Sequence, residues 1–162
     1  MPTYSEKKTL PYTTDQMFDL VIDIEEYPSF LPWCIDCKII KKRDDWIFAN
    51  LVIGYKLFHE WFHCKIKVEE DKTIYVEYVN GPLKYLKNTW KFIPHLDESS
   101  TVDFHVDFEF KNPMFERVAG MFFHEIAKRM VGAFVKRAED LYGPPKTSEW
   151  SGNDAEVENN EL

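Results

Sequence analysis

The sequence predicts an α+β fold in which a curved antiparallel sheet wraps one long C-terminal helix. Two observations carry this. From Lys38 to Phe110 the apolar residues recur with a period of two, in segments parted by short polar or Gly/Pro breaks, and from about residue 114 to 142 the period becomes helical. A third follows from them: a sheet with one dry face needs an apolar surface to cover it, and a single long helix in a one-domain chain of 162 residues supplies it.

The elements follow in order. YSEKKTLPY (4–12) alternates loosely and reads as a strand. Thr13 and Gln16 stand in the capping-box relation, and Met17, Leu20, Val21 and Ile24 repeat at helical spacing, so a short helix is expected from about 14 to 24. In the next stretch, EYPSFLPWCIDC (26–37), Pro28 and Pro32 forbid a long regular element. WIFANLVIGY (46–55), FHEWFHCKIKVEE (58–70), TIYVEYVNG (73–81), YLKNTWKFIPH (85–95) and STVDFHVDFEF (100–110) then form a meander with hairpin-sized connections. The last alternates most cleanly, with Val102, Phe104, Val106, Phe108 and Phe110 on a dry face and Asp103, His105, Asp107 and Glu109 on a wet one. Pro113 suits a first helical turn, and Phe115, Val118, Phe122, Ile126, Met130, Phe134, Ala138 and Leu141 form a stripe ~40 Å long at ~1.5 Å per residue. Gly143-Pro144-Pro145 stops that helix. Residues 1–142 are therefore expected to form the domain, and the acidic residues 143–162 a disordered tail.

Charge narrows the function. Half of the net −8 lies in the tail, and the remaining −4 on residues 1–142 offers no broad basic face for phosphates, so DNA is not an expected partner. The basic run KIIKKR (38–43) is a local exception. No run approaches ~18 apolar residues, the N-terminal residues lack a signal or transit pattern, and three cysteines cannot all pair. A cytoplasmic setting is expected.

Catalytic and metal motifs are weak. Cys34 and Cys37 have the spacing of half a zinc site, but no second pair matches them; among His59, His63 and Cys64 the cysteine faces away from the two histidines on a strand. No metal is expected. His105 between Asp103 and Asp107 lies on the wet face, and His124 with Lys128 borders the helix stripe; both read more readily as surface positions than as acid/base sets. No glycine-rich phosphate loop or nucleophile elbow occurs, so no enzyme is expected. What stands out is an aromatic share of 16%, with Leu86, Trp90 and Phe92 on one strand face and Phe104, Phe108 and Phe110 on its neighbour. A solid core and a lined cavity would use the same side chains.

Four motifs combine: YPSFLPWC after a short helix, NGPLKYLKNTWKF (80–92), VDFHVDFEFKNPMF (102–115) and a terminal AFVKRAEDLYG. Together, across about residues 3–142, they resemble the coenzyme Q-binding family of START-like proteins, which also includes the bacterial ribosome-association toxin. The resemblance implies a helix-grip fold with a hydrophobic tunnel holding ubiquinone or a similar isoprenoid lipid as bound ligand, without covalent chemistry, metal or covalent cofactor. The tunnel wall it implies is Leu86, Trp90, Phe92, Phe104 and Phe108 from the sheet, with Phe115, Val118, Phe122 and Ile126 from the helix. One branch supports respiratory electron transfer, which implies transient contact with the inner face of a respiratory membrane. The other binds the large ribosomal subunit and blocks subunit joining, and Lys38, Lys41, Lys42 and Arg43 are the residues for such a contact. A polyketide cyclase or aromatase activity on the same scaffold ranks last, because the inward faces are almost wholly apolar. Tyr27, Pro28, Phe30, Leu31, Pro32 and Trp33 are expected to form a lid or membrane lip, against the alternative that they plug the core; Lys84 is a head-group candidate, against an ordinary strand-start lysine.

Overall fold

Thr13 caps the first helix as its sequence requires: its side chain accepts from the Gln16 N–H while the Gln16 side chain accepts from the Thr13 N–H. In the computed structural model, which describes residues 3–55, 58–143 and 156–158, this helix (α1, Thr14–Ile22) follows strand β1 (Thr3–Leu10). Asp23 leaves the helical region (φ −81°, ψ 66°), so the helix ends two residues short of its expected limit. A 3-10 turn (Ile24–Glu26) and a single helical turn, α2 (Tyr27–Phe30), lead into β2 (Cys34–Arg43). The strand thus begins at Cys34 rather than Lys38, and both cysteines are strand residues.

The meander is as expected: β3 (Trp46–Tyr55), β4 (Phe58–Val68), β5 (Ile74–Asn80), β6 (Leu83–Pro94) and β7 (Ser100–Phe110) pair antiparallel with their sequence neighbours, and β1 closes beside β7. Gly81, at φ 141°, turns β5 into β6; a Cβ there would sit 2.9 Å from the Trp61 carbonyl oxygen, so only glycine fits. The curved sheet closes on the long helix α3 (Pro113–Tyr142), whose N-terminus is capped by the Asn112 side chain accepting from the Met114 N–H. This is the helix-grip arrangement.

Two expectations change. The helix meets the sheet along Phe123, Ala127, Phe134 and Ala138, not along the stripe as expected. Phe134 and Ala138 hold their places, but Phe115, Val118 and Phe122 are 37%, 49% and 49% exposed, Leu141 is exposed, and Ile126 is half-buried. At ~100° per residue, the Phe115–Phe122–Ile126 line lies about 100° around the helix from the line that packs. Both lines are apolar; the one carrying Ala127 and Ala138 wins because small residues let the helix approach a sheet face built of rings. The second change concerns the tail. Glu156–Glu158 forms a short strand, β8, on the free edge of β1, in register from Ser5 opposite Glu158 to Lys7 opposite Glu156. An open strand edge recruits backbone whatever the composition of the recruit. The rest of the tail expected to be disordered, 144–155 and 159–162, lies outside the described residues.

Candidate functional site

The site is the seam between α3 and the inward faces of β1, β6 and β7. Alternation aims Trp90 of β6 and Phe104 of β7 inward at paired positions, and their ring centroids lie 4.6 Å apart in an edge-on arrangement. Phe134 closes on Trp90 from the helix at 4.9 Å, and Phe123 closes on Phe108 at 4.7 Å. Such tilted contacts suit rings, whose positive edges meet negative faces. A void of about 20 Å³ remains beside Glu6, Leu10, Met17, Trp90, Phe104 and Phe134, about the volume that one water occupies.

The seam is not purely apolar. Tyr4 and Glu6 face inward from β1, and the buried Tyr4 hydroxyl donates to the Glu6 carboxylate at 2.7 Å. Burial, with the adjacent carboxylate, pushes the Tyr4 phenol well above its ordinary range, so it stays a neutral donor. His124 lies edge-on to Tyr4 at 5.6 Å. Asn88 accepts from the Trp90 indole N–H at 2.9 Å and donates to the His105 carbonyl at 2.8 Å, which fixes the indole plane. Sequence reasoning missed Tyr4, Glu6, Asn88 and Phe123. The signal was present in β1, where Tyr4, Glu6 and Lys8 share the parity of the buried Leu10.

Of the expected tunnel wall, the seam gathers Trp90, Phe104 and Phe108, with Leu86 half-buried against the core. Phe92 is buried but turns to α1, edge-on to Phe18 at 6.1 Å. The helix residues Phe115, Val118 and Phe122 form an exposed apolar flank beside the seam instead of its wall. The segment expected as a lip packs against the core. Leu31 is 7% exposed, and Tyr27, Pro28, Phe30, Pro32 and Trp33 are all half-buried. Phe30 meets Phe134 at 5.3 Å and Tyr27 at 5.8 Å, the Tyr27 hydroxyl donates to the Val21 carbonyl, and Arg137 lies over the Phe30 ring at 5.2 Å. A one-turn helix with Pro28 in it presents these rings to α3 rather than to solvent. Lys84 is on the wet face beside Glu109 at 3.4 Å, away from the seam.

Cys34, Cys37 and Cys64 are buried free thiols, and burial pushes them up to about 11, 12 and 11. Among the described residues no three His, Cys, Asp or Glu side chains converge as a metal set. On the outer face of the sheet a shallow polar hollow of about 400 Å³ is lined by Ser5, Lys7, Tyr75, Thr89, Lys91 and His105. Ser5 and His105 are cross-strand partners there, joined Oγ to Nδ1 at 2.5 Å. No described helix is long and apolar enough to cross a membrane.

Known proteins share this architecture. The aromatase/cyclase ZhuI of a Streptomyces species superposes with a TM-score of 0.75 at 10% identity, over 85% of this chain and 93% of that one, a likeness of fold alone. An 18 kDa protein of Caulobacter crescentus superposes with a TM-score of 0.73 at 30% identity, over 89% of this chain and all of that one. In sequence, the chain is 34% identical over 142 residues to the ribosome association toxin RatA of Escherichia coli K12, spanning 88% of this chain and 90% of the toxin. It is 35% identical over 144 residues to the mitochondrial coenzyme Q-binding protein COQ10 homolog B of Xenopus laevis, spanning 86% of this chain and 59% of that protein. Neither relative is named for a catalytic activity, although the matched family includes cyclases. That family, described as polyketide cyclase / dehydrase and lipid transport, matches residues 10–135, and with the helix-grip fold and these relatives it is the family to which the chain belongs.

Proposed function

We propose that this protein binds ubiquinone or a related isoprenoid lipid between α3 and the sheet and acts as its carrier in respiratory electron transport. The observation that carries this is the partly exposed flank of α3: Val118 and Phe122 are each 49% exposed beside a seam of rings, next to Phe115, which meets Phe110 at 6.1 Å. A polyprenyl tail laid along that flank would cover it, at ~0.8 kcal/mol per methylene removed from water. The 20 Å³ void is far too small for a head group, so binding requires the first half of α3 to part from the sheet while the Phe134 half stays seated. Tyr4, Glu6 and Asn88 are the inward polar groups that a quinone ring would meet. Met114 and Met121, 70% and 69% exposed on the outward continuation of the flank, suit transient contact with a membrane during loading. The reading involves no covalent step.

Mass spectrometry of lipids extracted from gently purified protein tests it. Co-purifying quinone with its ultraviolet signature is expected, and preparations that are repeatedly lipid-free would sink the idea. Phe122→Asp is the variant of choice: half-exposed, it should fold and lose loading, whereas Phe104 is buried and its replacement by a charge would unfold the chain.

A second reading, association with the large ribosomal subunit, is favoured by the near full-length similarity to RatA. Sedimentation of ribosomes tests it: an unchanged 70S fraction at high protein excess rules it out.

A further inference from the structure

The outward face of β2, β3 and β4 is unusual for the wet side of a sheet. Register places Lys41, Phe48 and Lys65 side by side across the three strands, and Arg43, Trp46 and Lys67 side by side one step along. Basic and aromatic side chains therefore alternate within each row. The ammonium groups lie over the rings: Lys41 sits 5.0 Å from the Phe48 centroid, and Lys65 and Lys67 sit 4.4 Å and 5.8 Å from that of Trp46. Between the rows' end and the strand termini, Asn50 and His63 join Oδ1 to Nδ1 at 2.7 Å, and His63 stacks on Phe48 with an interplanar angle of 24°. Trp61, on the same face, is 50% exposed.

Charge is segregated in the same way. Residues 34–68 carry seven Lys/Arg against four Asp/Glu, a net +3 in a chain of net −8. The acids that approach are Asp36, 3.8 Å from Lys38, Glu77, 3.4 Å from Lys65, and Glu69, 4.0 Å from Lys67. All three pairs are partly exposed, so each weakly competes with another anion.

We propose that this face is a binding platform for single-stranded RNA, with the lysines taking phosphates and the half-exposed Trp61 stacking a base. Three features favour it. Same-face positions on a strand recur about every 7 Å and neighbouring strands lie about 4.8 Å apart, so the sheet holds charges and rings in a rigid lattice that a flexible polyanion with flat bases can follow. The Asn50–His63 pair offers a donor and an acceptor for a ribose 2′-hydroxyl. A bilayer would instead be met by apolar side chains projecting from an edge or helix, as Met114 and Met121 do on the other side of the sheet. The platform gives the ribosomal reading a surface without depending on it, and it leaves the α3 seam free.

Fluorescence anisotropy of a labelled, unstructured 12-nucleotide RNA in rising KCl tests the proposal. The expected wild-type result is saturable binding that weakens with salt at a log–log slope of about 2 to 3, as three or four phosphate contacts give. Lys41→Glu with Lys65→Glu should weaken binding at least tenfold and flatten that slope. Trp61→Ala should weaken it about fivefold or more with the slope unchanged, because stacking releases no counterions. These side chains are at the surface, so melting curves should match wild type; if the double variant melts early, Lys38→Glu and Trp61→Ala carry the comparison. Equal RNA affinity in wild type and variants would overturn the proposal. So would equal binding of the DNA counterpart, or flotation with phosphatidylglycerol vesicles that the double variant loses while RNA stays unbound. The 70S sedimentation and the lipid extraction are read separately, so failure here is distinguishable from failure there.

Discussion

Phe30 shows at the residue scale how local chemistry and packing divide the work. Its neighbours Pro28 and Pro32 stiffen the chain, which a lip and a plug need equally; its partners Tyr27, Phe134 and Arg137 hold it against α3. Phe30→Ser is therefore expected to cost about 2 kcal/mol, less than truncating a fully buried ring, and to lower the melting temperature by several degrees in a scanning-calorimetry trace. The three thiols make a second prediction. An unfolded thiol ionises near 9, whereas Cys37 holds its proton to about 12 because burial penalises the thiolate, with Cys34 next among the causes. The folded state thus keeps the proton longer, and the stability this represents is intact below pH 9 and lost as pH rises from 9 towards 12. Urea midpoints measured across that window should fall with pH, less steeply in Cys37→Ala, and native-state alkylation at pH 8 should be slow for all three cysteines. The spacing of Cys34 and Cys37 said nothing of this, because i and i+3 positions of a regular strand face opposite ways and spacing is blind to the β-bulge between Cys34 and Asp36 that turns both inward.

Element-scale behaviour centres on α3. Its C-terminal half is anchored by Phe134 and Ala138 and by Tyr142, whose hydroxyl donates to the Gln16 carbonyl of α1 at 2.8 Å. Its N-terminal half touches the sheet through Phe123 and Ala127, through Phe115 beside Phe110 at 6.1 Å and through Glu116, which accepts from the Phe110 N–H at 2.7 Å, while Val118 and Phe122 stay half-exposed. Amide hydrogen exchange should therefore be faster over residues 114–126 than over 127–142, and a bound lipid should slow the first segment selectively. Uniform protection along the helix would contradict a seam that opens at one end. Asn112→Ala, which removes the cap at that looser end, should cost about 1 kcal/mol. The helix itself was legible from Pro113 to Tyr142 through Pro113, its period and Gly143. Its orientation was not: apolar residues occupy more than half of its circumference near the N-terminus, so period alone cannot choose the line that docks.

The proposed ligand carriage is tested on the whole molecule. A ligand that binds only the folded state stabilises it by about 2.7 kcal/mol at one hundred times its dissociation constant. A short-chain ubiquinone analogue should accordingly raise the melting temperature of the wild type and leave that of Phe122→Asp unmoved, a comparison made in one thermal-shift plate. The sequence by itself determined the order of strands and helices, the antiparallel meander, the capped start of α1, the Pro113 start of α3 and the dry face of β7, because all of these are written in short-range periodicity and backbone chemistry. Only the tertiary structure decided which side of α3 meets the sheet, that Tyr27 and Phe30 pack on Phe134, that Glu6 is buried beside Tyr4, and that lysines and rings from three strands form one surface. Each of these depends on residues far apart in sequence competing for the same space, and that competition is settled by close packing across the seam and by cross-strand register.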